Sequence, residues 1–162
     1  MHDNTRQVLT FSLGAEIYGV DIRRVKEIRG WSPVTRIPQS APSLLGVLNL
    51  RGAIVPVIDL RVRFALASAA FTPVTVIIVL SLQTPNGQRE CGIVVDNVND
   101  VLDVATDAIK PAPDMGQALT TRHIEGIAAH EQQMLILLNA DTLVSPELSP
   151  STTDPELADR AA

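Results

Sequence analysis

A disulfide has no place in this sequence: Cys91 is its one cysteine, and zinc-ligand spacing of Cys and His is missing as well. The expected reading of Cys91 is a small buried hydrophobe in a reducing compartment. Aromatics are scarce at 3%, too few for a protein that stacks on bases. Lys and Arg form no basic block and the net charge is −5, so nucleic acid is not an expected partner. The chain contains no phosphate-binding G-x-x-x-x-G-K-[ST], no G-x-G-x-x-G and no G-x-S-x-G. His2, His123 and His130 read as ordinary surface residues, and Asp96, Asp100 and Asp103 as a solvated acidic turn. No catalytic residue, cofactor or metal is therefore expected.

Membrane insertion is also not expected. Residues 64–88 carry no charge and are long enough to span a bilayer. However, Ser68, Thr72, Pro73, Thr75, Ser81 and Gln83 interrupt them, and Thr84-Pro85-Asn86-Gly87 is a turn cluster. A small-residue loop (65–73) and a buried strand (74–82) are expected instead. The polar start, MHDNTRQ, lacks the layout of a secretory signal, so a cytoplasmic protein is expected.

What the sequence has in quantity is apolar residues, at 46%, arranged mostly as strands. Val8–Leu13 alternates apolar and polar, and Glu16–Val20 follows a Gly14-Ala15 turn. Asp21 is placed to cap one helical turn, Ile22–Arg24. Val25–Arg29 and Val34–Ile37 read as extended. Leu45–Leu50 and Ala53–Leu60 flank Arg51-Gly52, a hairpin in which Gly52 accepts positive φ. Both faces of that hairpin are apolar, which predicts burial on both sides. Pro56 marks an edge or a bulge. Val74–Leu82 with Glu90–Val95, then Ile124–Ala129 with Gln133–Leu138, form further hairpins. Asp100–Val104 is extended, and Asn139-Ala140-Asp141 caps a short helix through Leu143.

The pattern repeats. Gly19, Val25, Glu27, Ile28 and Pro38 match Gly92, Val98, Asp100, Val101 and Pro111 at an offset of 73 residues. Gly46-Val47 and Ile54–Ile58 match Gly126-Ile127 and Met134–Leu138 at an offset of 80. Such self-similarity predicts two small barrels of about five strands each, too small to stand alone and so packed together. Barrel 1 is expected over roughly 14–67 and barrel 2 over roughly 71–145, the strand 8–13 assignable to barrel 2 and 146–162 a flexible tail.

Arg51 and Glu27 stand out. Each is a charge set among apolar residues, and arginine is enriched at the centres of protein interfaces. On the residues alone, Arg51 is either such an interface arginine or a solvated turn residue.

The stretch LLGVLNLRGAIVPVIDLRVRF (44–64) resembles the signature of the CheW family, the coupling proteins of bacterial chemotaxis. Gly46, Val47, Asn49, Leu50, Arg51, Gly52, Ile54, Val55, Pro56, Val57, Asp59 and Leu60 fit its core pattern. FSLGAEIYGVDIRRVKEIRG (11–30), VTRIP (34–38), CGIVVDNVNDVL (91–102), IKPAP (109–113) and MLILLN (134–139) extend the likeness over roughly residues 8–145. The resemblance implies an all-β fold of two tandem SH3-like five-stranded barrels around a shared core, with short helical turns. It also implies a non-catalytic adaptor, held at the inner face of the membrane through receptor arrays. Its partners would be the cytoplasmic tips of chemoreceptors and the regulatory domain of the histidine kinase CheA, and assembly with copies of itself in rings stays open. An adaptor of a twitching or other kinase pathway is the alternative, and a small nucleic-acid- or ligand-binding barrel a more distant one. Carried over to this chain, the family's coupling region covers Val25, Glu27, Ile28, Gly46, Val47, Asn49, Leu50, Arg51 and Gly52. Arg51 is expected to bridge to Glu27, and Val25, Ile28, Val47 and Leu50 to face a receptor helix along a groove between the barrels.

Overall fold

The computed structural model describes residues 5–36, 38, 44–64, 71–85, 87–111 and 124–143. Eleven strands are described: β1 Thr5–Leu13, β2 Glu16–Asp21, β3 Val25–Gly30, β4 Leu44–Leu50, β5 Ala53–Asp59, β6 Val76–Thr84, β7 Gly87–Val95, β8 Asn97–Ala105, β9 Ile109–Lys110, β10 Ile124–His130 and β11 Gln133–Leu138. Two short helices, α1 Leu60–Arg63 and α2 Ala140–Leu143, follow β5 and β11. Leu60, expected to end a strand, instead starts α1, because the Asp59 side chain accepts from the Arg61 N–H and caps the helix. Of the short strand expected over 34–37, the described part is a single bridge, Thr35 to Val47. The expected tail, 146–162, and the loop 65–70 lie outside the described residues.

The strands form two sheets, ordered β8-β1-β2-β11-β10-β9 and β3-β6-β7-β5-β4. The expected division near residues 67–71 is therefore not how the barrels divide. The first sheet joins β1, whose segment 8–13 is assignable to the second barrel and does lie with it, and β2 of the first repeat to β8–β11 of the second. The other sheet takes β3–β5 from the first and β6–β7 from the second. Connection length is the physical reason. In each sheet the outer strand (β3 or β8) runs antiparallel to the neighbouring hairpin strand β6 or β1. Had β3 stayed with its own hairpin, beside β1, it would run parallel to β2. A parallel return needs a dozen or more residues, and only Ile22–Arg24 are available. Asp96 alone separates β7 from β8. The chain must cross to the other sheet at both places.

The repeat survives this exchange. β2 pairs in parallel with β11, and β7 with β5. A bulge between Val25 and Glu27 recurs between Val98 and Asp100, and one between Leu44 and Gly46 recurs between Ile124 and Gly126.

Side-chain alternation yields three cores. Ile77 and Val79 of β6 point into their own barrel with Leu50, Val55, Val57 and Val94. Ile78, Leu80 and Leu82 face the other way, into a core shared with Leu9, Phe11 and Leu13 of β1, Cys91, Ile93 and Val95 of β7, and Leu60 and Phe64. Val8, Val104, Ala128, Leu135 and Leu137 fill the remaining barrel. Cys91 is fully buried in the shared core, as expected. Two-sided burial thus belongs above all to the β6–β7 hairpin at the seam.

Candidate functional site: the hairpin tip and its ion pair

Arg51 and Gly52 both have positive φ, 52° and 89°. Two residues in that region make the tight turn whose twist suits a hairpin. Residue type alone points to Gly52 for this geometry; Arg51 shares it, at a cost of order 1 kcal/mol for a non-glycine residue. The Gly52 N–H donates to Asn49 Oδ1 at 2.9 Å, so the turn is closed by a side chain from its own strand. In the other barrel the equivalent turn is Glu131-Gln132, also with positive φ at both residues.

The expected bridge is present. Arg51 Nη2 lies 2.9 Å from Glu27 Oε1. β3 is one edge of its sheet, and the β4–β5 hairpin forms the opposite edge, so this ion pair closes the sheet across its open side. Glu27 Oε2 also takes Arg29 Nη1, at 3.2 Å. Glu27 is held below the usual glutamate pKa, mainly by its hydrogen bond to Arg51, with partial burial opposing and Arg29 adding to the effect. At the equivalent positions of the other barrel stand Asp100 and Glu131, two acids that cannot form this latch.

The remaining residues divide by exposure. Ile28, next to Glu27, is 44% exposed, and Ile54, past the turn, is 65% exposed. The tip therefore corrects the expectation of burial on both faces. β5 pairs with β7 over Val57–Asp59, so Ala53–Pro56 project past that ladder and leave Ile54 uncovered. Pro56, which has no N–H to give, sits just outside the same ladder. Leu50, expected to line a groove, is buried in its barrel with Val55 and Val57. It supports the hairpin from inside and offers little surface. Val25 is half-buried against the shared core. Val47 is half-buried and exchanges hydrogen bonds with Thr35 at 2.8 and 3.0 Å. Gly46 has a packing reason to be glycine: a Cβ there would collide with the Thr35 carbonyl. Gly126 faces the same restriction against the Lys110 carbonyl, at 2.8 Å.

Three charged residues were not legible as a unit. Arg61 is 1% exposed. Its Nε and Nη2 donate to Asp59 Oδ1 and Oδ2 at 2.9 and 3.0 Å, and Nη1 to Asp96 at 3.2 Å. The Phe71 ring lies 4.9 Å from its guanidinium carbon and stacks on Trp31. Asp96, read as part of a solvated turn, also accepts from the Gly14 N–H at 2.8 Å. It thereby joins α1, the β7–β8 crossover and the β1–β2 turn. Arg24, in the other crossover, pairs with Asp141 of α2 at 2.8 Å, and Asp141 accepts from Gln83 of β6. Each crossover is thus pinned by an ion pair, with the signs reversed between the two. The Asp59-Leu60-Arg61 triplet repeats locally what Asp21-Ile22-Arg23 does, where Asp21 accepts both the backbone and the side chain of Arg23. That likeness is the one sequence signal available for it.

Among the described residues no group of three His, Cys, Asp or Glu is placed to hold a metal ion, and no helix is long and apolar enough to cross a membrane.

Comparison with known proteins agrees with this architecture. A family model described as CheW-like domain matches residues 7–147. A chemotaxis protein CheW from Klebsiella aerogenes is 46% identical over 142 residues, 88% of this chain and 83% of that protein. One from Bacillus subtilis is 34% identical, with 90% of each chain covered. The crystal structure of scaffolding protein TtCheW from Thermoanaerobacter tengcongensis superposes with a TM-score of 0.78 at 32% identity, covering 88% of this chain and 89% of that one. Two exchanged SH3-like barrels, the N-L-R-G hairpin tip and a match along nearly the whole described chain place this protein in the CheW-like domain family.

Proposed function

We propose that the chain is a non-catalytic adaptor that couples the cytoplasmic tips of chemoreceptors to the regulatory domain of the histidine kinase CheA. The observation that carries the reading is the latched tip: an exposed arginine paired with Glu27, with Ile28 and Ile54 uncovered on the same two elements. Uncovered apolar side chains on the same elements as a partly shielded charge are what a reversible protein contact requires. Family membership supports the partner assignment, and the relatives named for chemotaxis and for scaffolding point the same way. Val25, Val47, Gly46, Asn49, Leu50 and Gly52 then act mainly by holding the tip in shape. Localisation at the cytoplasmic face of receptor arrays follows from those partners.

The test is reconstitution with a receptor cytoplasmic fragment and the kinase, separated by size-exclusion chromatography. A ternary peak that requires this chain is expected. Receptor and kinase co-eluting equally well without it would defeat the adaptor reading.

A further inference from the structure

Three of the five aromatic residues, Phe11, Tyr18 and Phe64, lie in the shared core. The other two, Trp31 and Phe71, stack at the surface of the barrel that carries the hairpin tip, with ring centroids 4.0 Å apart and planes 15° from parallel. Phe71 is 45% exposed and Val74 55%. The turn that bears them is fixed from within. The Thr72 N–H donates to Thr75 Oγ1 at 2.8 Å, the Thr75 N–H to the Thr72 carbonyl at 3.1 Å, and the Val74 N–H to Thr72 Oγ1 at 3.2 Å. The Trp31 N–H ties the end of β3 to the same turn through the Thr75 carbonyl, at 3.1 Å. Apolar side chains already held in place lose little freedom on docking, and tryptophan is enriched where binding energy concentrates. The repeat does not require this patch: 73 residues on from Trp31 stands Val104, buried in the other barrel's core.

Charge and composition point to what covers it. Residues 28–36 and 60–75, which meet at the patch, contain Arg29, Arg36, Arg61 and Arg63 and no acid. Arg29 is engaged by Glu27 and Arg61 by Asp59, whereas Arg36 is exposed and has no acidic partner among the described residues. Residues 144–162 have the opposite character: Pro146, Pro150 and Pro155 stand with Glu147, Asp154, Glu156 and Asp159, against Arg160 alone. Aromatic surfaces are recurrent docking places for proline-bearing segments, and carboxylates suit arginine. We infer that the Trp31–Phe71–Val74 patch is the docking site of this chain's own Asp154-Pro155-Glu156, with Pro155 on the ring stack and its two acidic neighbours toward Arg36. Asp154 follows Leu143, the end of α2, by 11 residues. That length of extended chain spans roughly 36 Å, about the width of a domain of this size, so the contact can form within one molecule. It uses other residues than the coupling tip and stands independently of that role.

Trp31 is the sole tryptophan, so acrylamide quenching of its fluorescence in the full chain reads the patch directly. A tether of this length supplies an effective concentration of order 1 mM, and a contact of that affinity or better keeps at least about half of the molecules docked. D154N/P155A/E156Q should therefore raise the quenching constant by about one and a half- to twofold. R36Q should raise it in the otherwise natural chain and leave the triple variant unchanged, which a merely structural effect of Arg36 would not do. A synthetic peptide of residues 144–162 added to the triple variant should restore the shielding, half-complete at or below about 1 mM. Circular dichroism melts on each variant show that the comparison is made on folded protein. Equal quenching of the natural chain and the triple variant, or no response to the peptide, overturns the inference. Shielding that fades on dilution places the segment on a second copy and overturns the contact within one molecule.

Discussion

Replacing Arg61 by leucine should be among the most damaging single changes in the chain, although Arg61 lies outside the proposed contact. The side chain is 1% exposed, as is that of its partner Asp59. Arg61→Leu removes both bonds to Asp59, the bond to Asp96 and the guanidinium beneath Phe71. The leucine fills part of the space, so the main loss is the Asp59 carboxylate left buried without a counter-charge. Breaking a buried pair in this way costs about 3–5 kcal/mol. For a chain of this size, each kcal/mol shifts Tm by roughly 2–4 °C, so a drop of roughly 6–20 °C is expected by differential scanning calorimetry. Arg61→Leu combined with Asp59→Asn supplies the control. Asparagine keeps an oxygen to cap α1 but carries no charge, so the double variant should recover about half of the loss or more. A loss under about 1 kcal/mol for Arg61→Leu, or a double variant less stable than the single one, would refute the buried-charge reasoning.

Gly46→Ala should destabilise by about 2 kcal/mol or more, because the added methyl meets backbone and not a flexible side chain; urea unfolding measures it, and an unchanged midpoint would contradict the packing role. The Glu27 pair should weaken on acidification. Since its pKa is lowered in the fold, its contribution is complete above the ordinary glutamate value of about 4.3 and is lost as pH falls through the lower folded value. An NMR titration of the Glu27 carboxyl should show that depressed value. Arg51→Gly should raise it more than Arg29→Gln does, and the reverse order would assign the main counter-charge wrongly.

How far the residues announced the fold depended on whether an interaction was local. The turn at Arg51-Gly52, the Asp21 cap and the repeat offsets are short-range patterns, and each stands in the structure as read. The strand exchange was harder to see, because it follows from strand direction combined with connection length. Three residues at 22–24 and one at 96 force it, but only once the partners of β3 and β8 are known. Burial of Arg61 was hidden for a related reason. Asp21-Ile22-Arg23 and Asp59-Leu60-Arg61 are the same local device, yet Arg23 is in solvent and Arg61 lies at the barrel seam. Tertiary position alone separates them. At the tip, apolar residues on both faces suggested burial, and the hairpin's projection past β7 left Ile54 outside. Arg29 is a third case: its alternation in β3 was legible, but its role depends on Arg51 arriving from the opposite edge of the sheet.

Arg51→Gly isolates the central claim, that Arg51 at the tip serves coupling and is not needed for the fold. Glycine accepts the turn's positive φ without strain, so the hairpin should persist. In a reconstituted mixture of receptor fragment, kinase and adaptor, kinase autophosphorylation is the readout, with a thermal melt of the adaptor alongside. A melt close to that of the natural chain is expected, together with loss of most receptor-dependent kinase stimulation. Full stimulation by Arg51→Gly would contradict it.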